Sequence, residues 1–407
     1  MPAGPAAPPL APGDLEPRNF ASADLATSQP RNLATPADLE PAPPHNLVSP
    51  ADLAPSRNLA STRRAWLALL LLCAGHAALR LAMNREFAGA PWDELLDFSA
   101  AKPFGLRVLV PLLAWPLHAL LRVPTLWVFG LFELLATAAL VLATAAAVRP
   151  FVPPRWSAAL GVLLVLLLPI AFLLQHRWPI FYPYDTPAMA FTAGGVALLL
   201  HRRWRAATLL AALAALNRES ALLLPACLLA LHLPVRPPAP NNLSPKPSPP
   251  VPNNLSPTPS PSVPDDLSQN PSTLRQLLAP TLALLAAVLT VRTLVGLVLR
   301  DNPGAPLQFF VDGTPRLLAN LAWLEEPSHW LRLPAYFGWL PLAWPLLAPW
   351  MPTPLRRLGW LGLAYIAALL WVANIDEPRV YGEAIVLLYL PCAVALTRWL
   401  RGDPPAG

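Results

Sequence analysis

The sequence predicts an all-α polytopic integral membrane protein with about 8 to 11 transmembrane or re-entrant helices, interrupted by disordered proline-rich segments. Of the 407 residues, 55% are hydrophobic, only 13% are charged and 55 are proline. This composition excludes a single soluble globular domain. Apolar runs of roughly 15 to 25 residues, built from Leu, Ala and Val, recur along the chain, and about 20 such residues cross a hydrocarbon core of about 30 Å.

Two segments with little apolar content carry degenerate repeats, such as PRNLATPADL in the first and PNNLSPTPSP in the second. Their composition predicts disorder. A binding function for the repeats is the alternative to simple repeat expansion in a linker. No positively charged n-region starts the chain, so the first segment is not a signal peptide. The predicted division is a cytoplasmic tail 1–62, a first membrane part 63–233 with an acidic external loop 84–107, a linker 234–272, a second membrane part 273–400 and a cytoplasmic tail 401–407.

The arginine clusters predict the topology. Arg63 and Arg64 precede the first apolar run and hold the amino terminus in the cytoplasm. Residues 108–122 form a short run with two prolines, which we expect to lie in the membrane interface because the later arginine clusters then fall inside. Membrane crossings are predicted at 65–83, 128–148, 158–174, 188–200, 277–299, 336–350, 361–373 and 384–396.

The stretch LAALNRESALLLP contains the most polar break within the apolar sequence. The runs 206–216 and 221–232 on its two sides are each too short to cross a bilayer. They predict a helical hairpin with Asn217, Arg218 and Glu219 at its tip. One tilted span is the alternative, but it would place the last two arginine clusters outside.

Composition also limits the partners. The formal charge of +6 is carried mostly by arginines beside apolar runs, which fits a lipid bilayer and argues against nucleic acid. Cys73, Cys227 and Cys392 lie in apolar runs without CxxC or Cys/His spacing, so neither a disulfide framework nor a zinc site is predicted.

In this topology three polar loops face the outside: the loop 84–107, HRWPIFYPYD and NIDEPRVYGE. Charged groups near lipid are costly unless they pair, line a wet cavity or bind a charged substrate. Asp185 and Glu219 are the only acidic residues between Glu133 and Asp265. Each site also has an ordinary explanation: Asp185 caps a helix, Arg218 reaches the headgroups, and the loop tyrosines form an interfacial belt. Glu133, inside a predicted span, would pair structurally with Arg80 or Arg292.

The arrangement of a first span, an external loop with the acidic pair Asp93 and Glu94, and an interfacial helix resembles the membrane-embedded GT-C glycosyltransferases. The elements KPFGLRVLVPLL, YPYDTPAMAF, LNRESALLLP and DEPRVYGE are also similar to a set of bacterial multispanning proteins of that general type. The resemblance covers roughly residues 65 to 400 without the linker.

The resemblance implies a transferase in the bacterial inner membrane that takes a sugar from a polyprenyl phosphate at the extracytoplasmic face. It implies that a first-loop carboxylate, Asp93 or Glu94 and less strongly Asp97, is the catalytic residue. Transfer needs a carboxylate for the acceptor proton and cations for the departing phosphate, and arginine binds phosphate bidentately. The substrate-binding candidates are Arg107, Arg177, Tyr184, Asp185, Arg218, Glu219, Glu377 and Arg379.

Two departures from the GT-C pattern are visible. Asp93 and Glu94 are adjacent rather than in an Asp-x-Asp arrangement, so a divalent metal is compatible with the loop but not required. The large soluble carboxyl-terminal domain of several GT-C families is absent. The alternative function is a non-catalytic transporter or flippase for a lipid-linked or small-molecule substrate, which matching internal halves would favour. A scaffold whose tails bind partners is a third possibility.

Overall fold

The structure, a computed structural model, describes residues 59–170, 172, 179–233, 274–307, 309–311 and 313–406. The predicted linker, and the predicted tail up to residue 58, lie outside the described residues. Helix α1 begins at Leu59, so the last four residues assigned to the tail are helical.

The described part of the chain is mostly α-helical, with one two-stranded antiparallel hairpin. The helices are α1 (Leu59–Met83), α2 (Trp92–Leu96), α3 (Leu109–Leu121), α4 (Thr125–Val148), α5 (Pro154–Pro169), α6 (Asp185–Leu200), α7 (Trp204–Asn217), α8 (Leu223–His232), α9 (Leu274–Val298), α10 (Arg316–Leu324), α11 (Pro327–Tyr336), α12 (Leu340–Leu347), α13 (Thr353–Leu369) and α14 (Gly382–Leu400). The strands are β1 (Phe310–Val311) and β2 (Thr314–Pro315).

Four helical stretches in the described residues are long and apolar enough to cross a membrane: Arg63–Met83, Thr125–Val148, Arg275–Val298 and Pro378–Leu400. Only 17% of the apolar window of α9 is buried inside the protein, against 89% of that of α14. Helix α14 is therefore a central helix of the bundle. Helix α9 presents leucines outward, such as Leu282 and Leu289, a surface suited to lipid.

One end of the bundle, here called the head end, is where α1 ends and α4, α6 and α14 begin. The first turns of α4 lie beside the end of α1, because Gly130 faces Leu81. Thr125, which starts α4, donates a hydrogen bond to Asp93 of the first loop at 2.6 Å. Helix α3 follows that loop and precedes α4, so it begins and ends at the head end without crossing. The interfacial placement of residues 108–122 stays a prediction.

Helices α7 and α8 form the predicted hairpin. The ring of Trp204, at the start of α7, meets that of His232, at the end of α8, with centroids 5.1 Å apart. Between the helices Arg218 adopts an extended backbone (φ −161°, ψ 152°), and residues 219–222 form one 3-10 turn. The tip lies at the head end, since the Asn217 amide donates to the Tyr184 carbonyl at 2.9 Å.

Some element boundaries differ from those expected. The predicted span 336–350 is interrupted, because Gly338 (φ 59°) and Trp339 (φ 64°) are both left-handed and a right-handed helix cannot continue through them. Helix α13 begins at Thr353, eight residues before the predicted start at 361. Arg356 and Arg357 mark the end of an apolar run in the sequence, but they are compatible with the first turns of a helix.

Candidate functional site

Three chain segments that are far apart in sequence meet at the head end. The backbone of Arg85 in the first loop donates to Pro179 O at 2.9 Å and accepts from Phe181 N at 3.0 Å. The guanidinium of Arg379, in the loop before α14, lies 4.1 Å from the centroid of the Tyr182 ring. The predicted meeting of the three polar loops on one face of the bundle therefore matches the contacts in the structure.

The segments enclose a cavity of about 810 Å³, here called the basic cavity. Five cationic residues line it: Lys102, Arg107, Arg218, Arg316 and Arg379. Three carboxylates oppose them, those of Asp185, Glu219 and Glu377. The lining thus carries two more positive than negative charges, which favours an anionic ligand.

Aromatic rings form one wall of the basic cavity. Phe104 stacks on Tyr182 with centroids 5.3 Å apart, and Tyr182 stacks on Tyr184 at 5.1 Å. Arg379 lies over the Tyr182 ring, and the Arg107 guanidinium lies 4.5 Å from the centroid of Tyr184. These cation–π contacts fix the planes of both guanidinium groups while leaving their edges available for hydrogen bonds.

Each cavity carboxylate lies within 4 Å of an arginine. Arg379 donates to Glu377 Oε2 at 2.6 Å, and Arg107 donates to Glu219 Oε1 at 3.0 Å. Arg218 Nη1 lies 3.6 Å from Asp185 Oδ1. These pairs neutralise the carboxylates and hold the arginines in place, so the cationic excess belongs to Lys102 and Arg316.

The paired arginines keep spare donors. Nε and Nη1 of Arg379 and Nε of Arg107 are buried without a hydrogen-bond partner among the described residues. The same holds for the hydroxyls of Tyr182 and Tyr184. Burial raises the pKa of the Tyr182 hydroxyl, so this group stays protonated and can donate. Buried donors of this kind are costly unless a ligand or water accepts from them.

A second layer of charge lies below the cavity in the bundle interior. Arg80 Nη1 donates to Glu133 Oε1 at 2.9 Å and to Thr186 Oγ1 at 2.7 Å, and its side chain is 1% exposed. Thr186 donates in turn to Glu133 at 2.7 Å. The predicted pairing of Glu133 with Arg80 is therefore present. Arg292 instead donates to the carbonyls of Leu106 and Ala215.

Asp185 links the cavity to the interior charges, because its carboxylate lies 3.6 Å from Arg218 Nη1 and 3.8 Å from Arg80 Nη2. Arg218 is 3% exposed, and its Nη1 also lies 3.6 Å from Glu383 Oε1 of α14. Ser220 donates to the same Glu383. The polar break at LNRES therefore supplies one cation, Arg218, and hydrogen-bond donors to the head end instead of forming an exposed turn.

The first-loop carboxylates lie elsewhere. Asp93, Glu94 and Asp97 are all exposed, and none of them lines the basic cavity. Asp93 and Asp97 line a separate cavity of about 600 Å³ with Glu86, His118 and Thr125, here called the acidic cavity. The segment from Glu86 to Trp92 contributes side chains to both cavities, with Phe87 on the basic side.

Of the predicted substrate-binding residues, six line the basic cavity: Arg107, Asp185, Arg218, Glu219, Glu377 and Arg379. Tyr184 lies behind Arg107, and Arg177 lies outside the described residues. Arg316 and Lys102 also line the cavity. Neither is among the predicted substrate-binding residues, although Lys102 is the first residue of the element KPFGLRVLVPLL.

Among the described residues, no group of three or more His, Cys, Asp or Glu side chains is arranged to hold a metal ion. Comparison of the chain with protein-family models, with curated proteins and with solved structures finds no match. The resemblance to GT-C enzymes therefore rests on the sequence elements given above.

Proposed function

We propose that this chain is a GT-C-like glycosyltransferase that moves a sugar from a polyprenyl-phosphate donor to an acceptor. In this proposal the bundle crosses a bacterial inner membrane with about 8 to 11 transmembrane or re-entrant helices, and the head end faces the extracytoplasmic side. The observation that carries the proposal is the basic cavity, which offers oriented arginine edges at the end of an apolar bundle.

The cavity matches the donor in three respects. The spare Nη1 of Arg379 and the Tyr182 hydroxyl suit phosphate oxygens. The excess charge at Lys102 and Arg316 suits an anion. Leu222, Leu223, Leu369 and Val372 give the same cavity an apolar side, suited to the first prenyl units.

Sugar transfer also needs a base for the acceptor proton. The carboxylates of the basic cavity are already paired with arginines. The candidates for the catalytic base are therefore the first-loop residues Asp93, Glu94 and Asp97, as the resemblance implies. The acceptor would enter through the acidic cavity, and the 86–92 segment would have to move to let the two substrates meet.

A transporter is the second candidate function, and a transporter needs a substrate site that is accessible from both ends of the bundle. Below the basic cavity Ala193, Leu224 and Leu228 are buried in a continuous apolar core. This packing favours a site that opens at the head end alone.

The test uses the full chain in vesicles of bacterial inner-membrane extract, which supplies candidate acceptors, with one polyprenyl-phosphate sugar at a time, radiolabelled in the sugar. We expect release of polyprenyl phosphate and transfer of the label. Asp93→Asn or Asp97→Asn should slow transfer by about 10²- to 10⁴-fold if that residue is the base. Asp301→Asn is the control, because this carboxylate is 90% exposed and lies outside the lining of both cavities. Movement of intact donor across the bilayer without sugar transfer would contradict the enzyme and support the transporter.

A further inference from the structure

The head-end segment between α9 and α12 exposes an unusual number of large apolar side chains. Seven of them are between 46% and 70% exposed: Leu307, Phe309, Phe310, Leu318, Leu321, Trp330 and Leu331. They come from the β-hairpin, from one face of α10 and from α11. An exposed apolar patch of this kind marks a contact with protein or lipid.

The opposite side of this segment is fixed to the bundle. Asn320 of α10 is 2% exposed, and its amide donates to the carbonyls of Leu370 and Ala373 at 2.8 Å each. Its side-chain oxygen accepts from Ile375 N at 3.1 Å. Leu307, Val311 and Arg316 line the basic cavity. The segment therefore forms part of the cavity wall and has an apolar outer surface.

The surroundings indicate what covers that surface. Helix α9, which leads into the segment, ends with the exposed Leu294, Leu297 and Val298. After the segment the chain continues into α12. Trp339, just before α12, and Leu342 and Leu346 within it are 47%, 52% and 75% exposed. The apolar patch thus continues in sequence, at both ends, into outward-facing stripes of bundle helices. Those stripes suit lipid chains.

The segment also has an exposed polar turn. Glu325 and Glu326 connect α10 to α11, and Ser328 in the first turn of α11 is exposed beside them. Apolar faces beside a polar turn, together with exposed tryptophans, are typical of structures that lie in the headgroup region.

We propose that residues 307, 309–311 and 313–331 are embedded in the bilayer interface, so that lipid covers their outer face and the segment forms a membrane-anchored wall of the basic cavity. The partner is the boundary between headgroups and acyl chains. This inference does not depend on the proposed transferase activity.

The test is depth measurement by spin labels on the full chain in lipid vesicles. Cys73, Cys227 and Cys392 are buried and would be replaced by alanine. Single cysteines would be introduced as Leu331→Cys and Leu318→Cys in the patch. Glu325→Cys serves as the aqueous reference. Leu289→Cys, on the outward face of α9, serves as the bilayer reference. Collision of each label with oxygen, which concentrates in lipid, is compared with collision with a water-soluble nickel complex.

We expect the labels at Leu331 and Leu318 to favour oxygen, as the label at Leu289 does, and the label at Glu325 to favour nickel. If the two patch labels match Glu325, the patch faces water and the proposal is overturned. If they are shielded from both reagents, protein covers the patch and the proposal is equally overturned. Sugar-transfer activity does not enter this readout, so the two proposals fail separately.

Discussion

Two arginine–glutamate ion pairs in this protein consist of the same groups but differ in how deeply they are buried. Arg80 and Glu133 lie 2.9 Å apart in the bundle interior, with side chains 1% and 0% exposed. Arg379 and Glu377 lie 2.6 Å apart at the basic cavity, with side chains 9% and 30% exposed. Arg80 is enclosed by Thr186 and the rings of Phe172 and Phe181. Arg379 keeps two nitrogens, Nε and Nη1, free of hydrogen bonds to the described residues, whereas Arg80 keeps only Nε.

The difference separates a structural pair from one available to a ligand. A buried pair is expensive to create, but losing one partner is more expensive still, because the other charge is left alone in an apolar interior. A pair at a cavity can exchange or extend its hydrogen bonds when an anion enters. The first pair should therefore control stability and the second should control binding.

The largest effect should follow from breaking the interior pair. Arg80→Ala leaves Glu133 and Asp185 without this partner, and we expect a loss of about 3–5 kcal/mol in the free energy of unfolding. Chemical unfolding of the protein in mild detergent measures it. Arg80→Lys, which keeps the charge, should lose less. Equal stability of Arg80→Ala and the unmodified protein would show that the pair is not structural.

Breaking the cavity pair should affect binding instead. Arg379→Gln removes donors to phosphate, and hydrogen bonds to charged groups contribute about 1.5–3 kcal/mol. We expect polyprenyl phosphate to bind about 10- to 100-fold more weakly, with little change in thermal stability. Arg300→Gln is the matched control, because this head-end arginine is 76% exposed and outside the cavity lining. A large loss of stability in Arg379→Gln would remove the distinction between the two pairs.

A smaller effect should follow from loosening the scaffold around the interior pair. A Cβ on Gly161 of α5 would lie 2.5 Å from the carbonyl oxygen of Val141 in α4. Gly161→Ala must push these helices apart, and we expect a loss of about 1–3 kcal/mol. Phosphate affinity should change little. Gly296→Ala in α9 is the control, since nothing lies within 4 Å of its added Cβ, and helix propensity predicts equal or higher stability. Equal effects of the two substitutions would show that the contact between α4 and α5 tolerates the added methyl group.

The sequence was informative where a charge had few possible partners. Glu133 stands alone in an apolar run, which leaves Arg80 and Arg292 as its candidate partners, and the structure contains the pair with Arg80. The break at Asn217 likewise predicts a turn, because neither neighbouring helix is long enough to span. The meeting of the polar loops followed from the positions of the arginine clusters.

The sequence does not indicate which cavity each side chain of a loop enters. The sequence places Asp93 and Arg107 in the same loop, but it does not show that α2 and the 86–92 segment direct them to different cavities. The entry of Arg316 into the basic cavity depends on how Asn320 fixes α10 to the end of α13. Those are long-range contacts, and no local pattern encodes them.

The most direct test of the basic cavity is a binding comparison between two lipids that differ only in charge. The full chain in nanodiscs would be titrated with a short-chain polyprenyl phosphate and with the corresponding polyprenol, and tryptophan fluorescence would be followed. We expect saturable binding of the phosphate that weakens at high salt, and at least about tenfold weaker binding of the alcohol. Equal affinity for the two lipids would contradict the assignment of the basic cavity as a phosphate site.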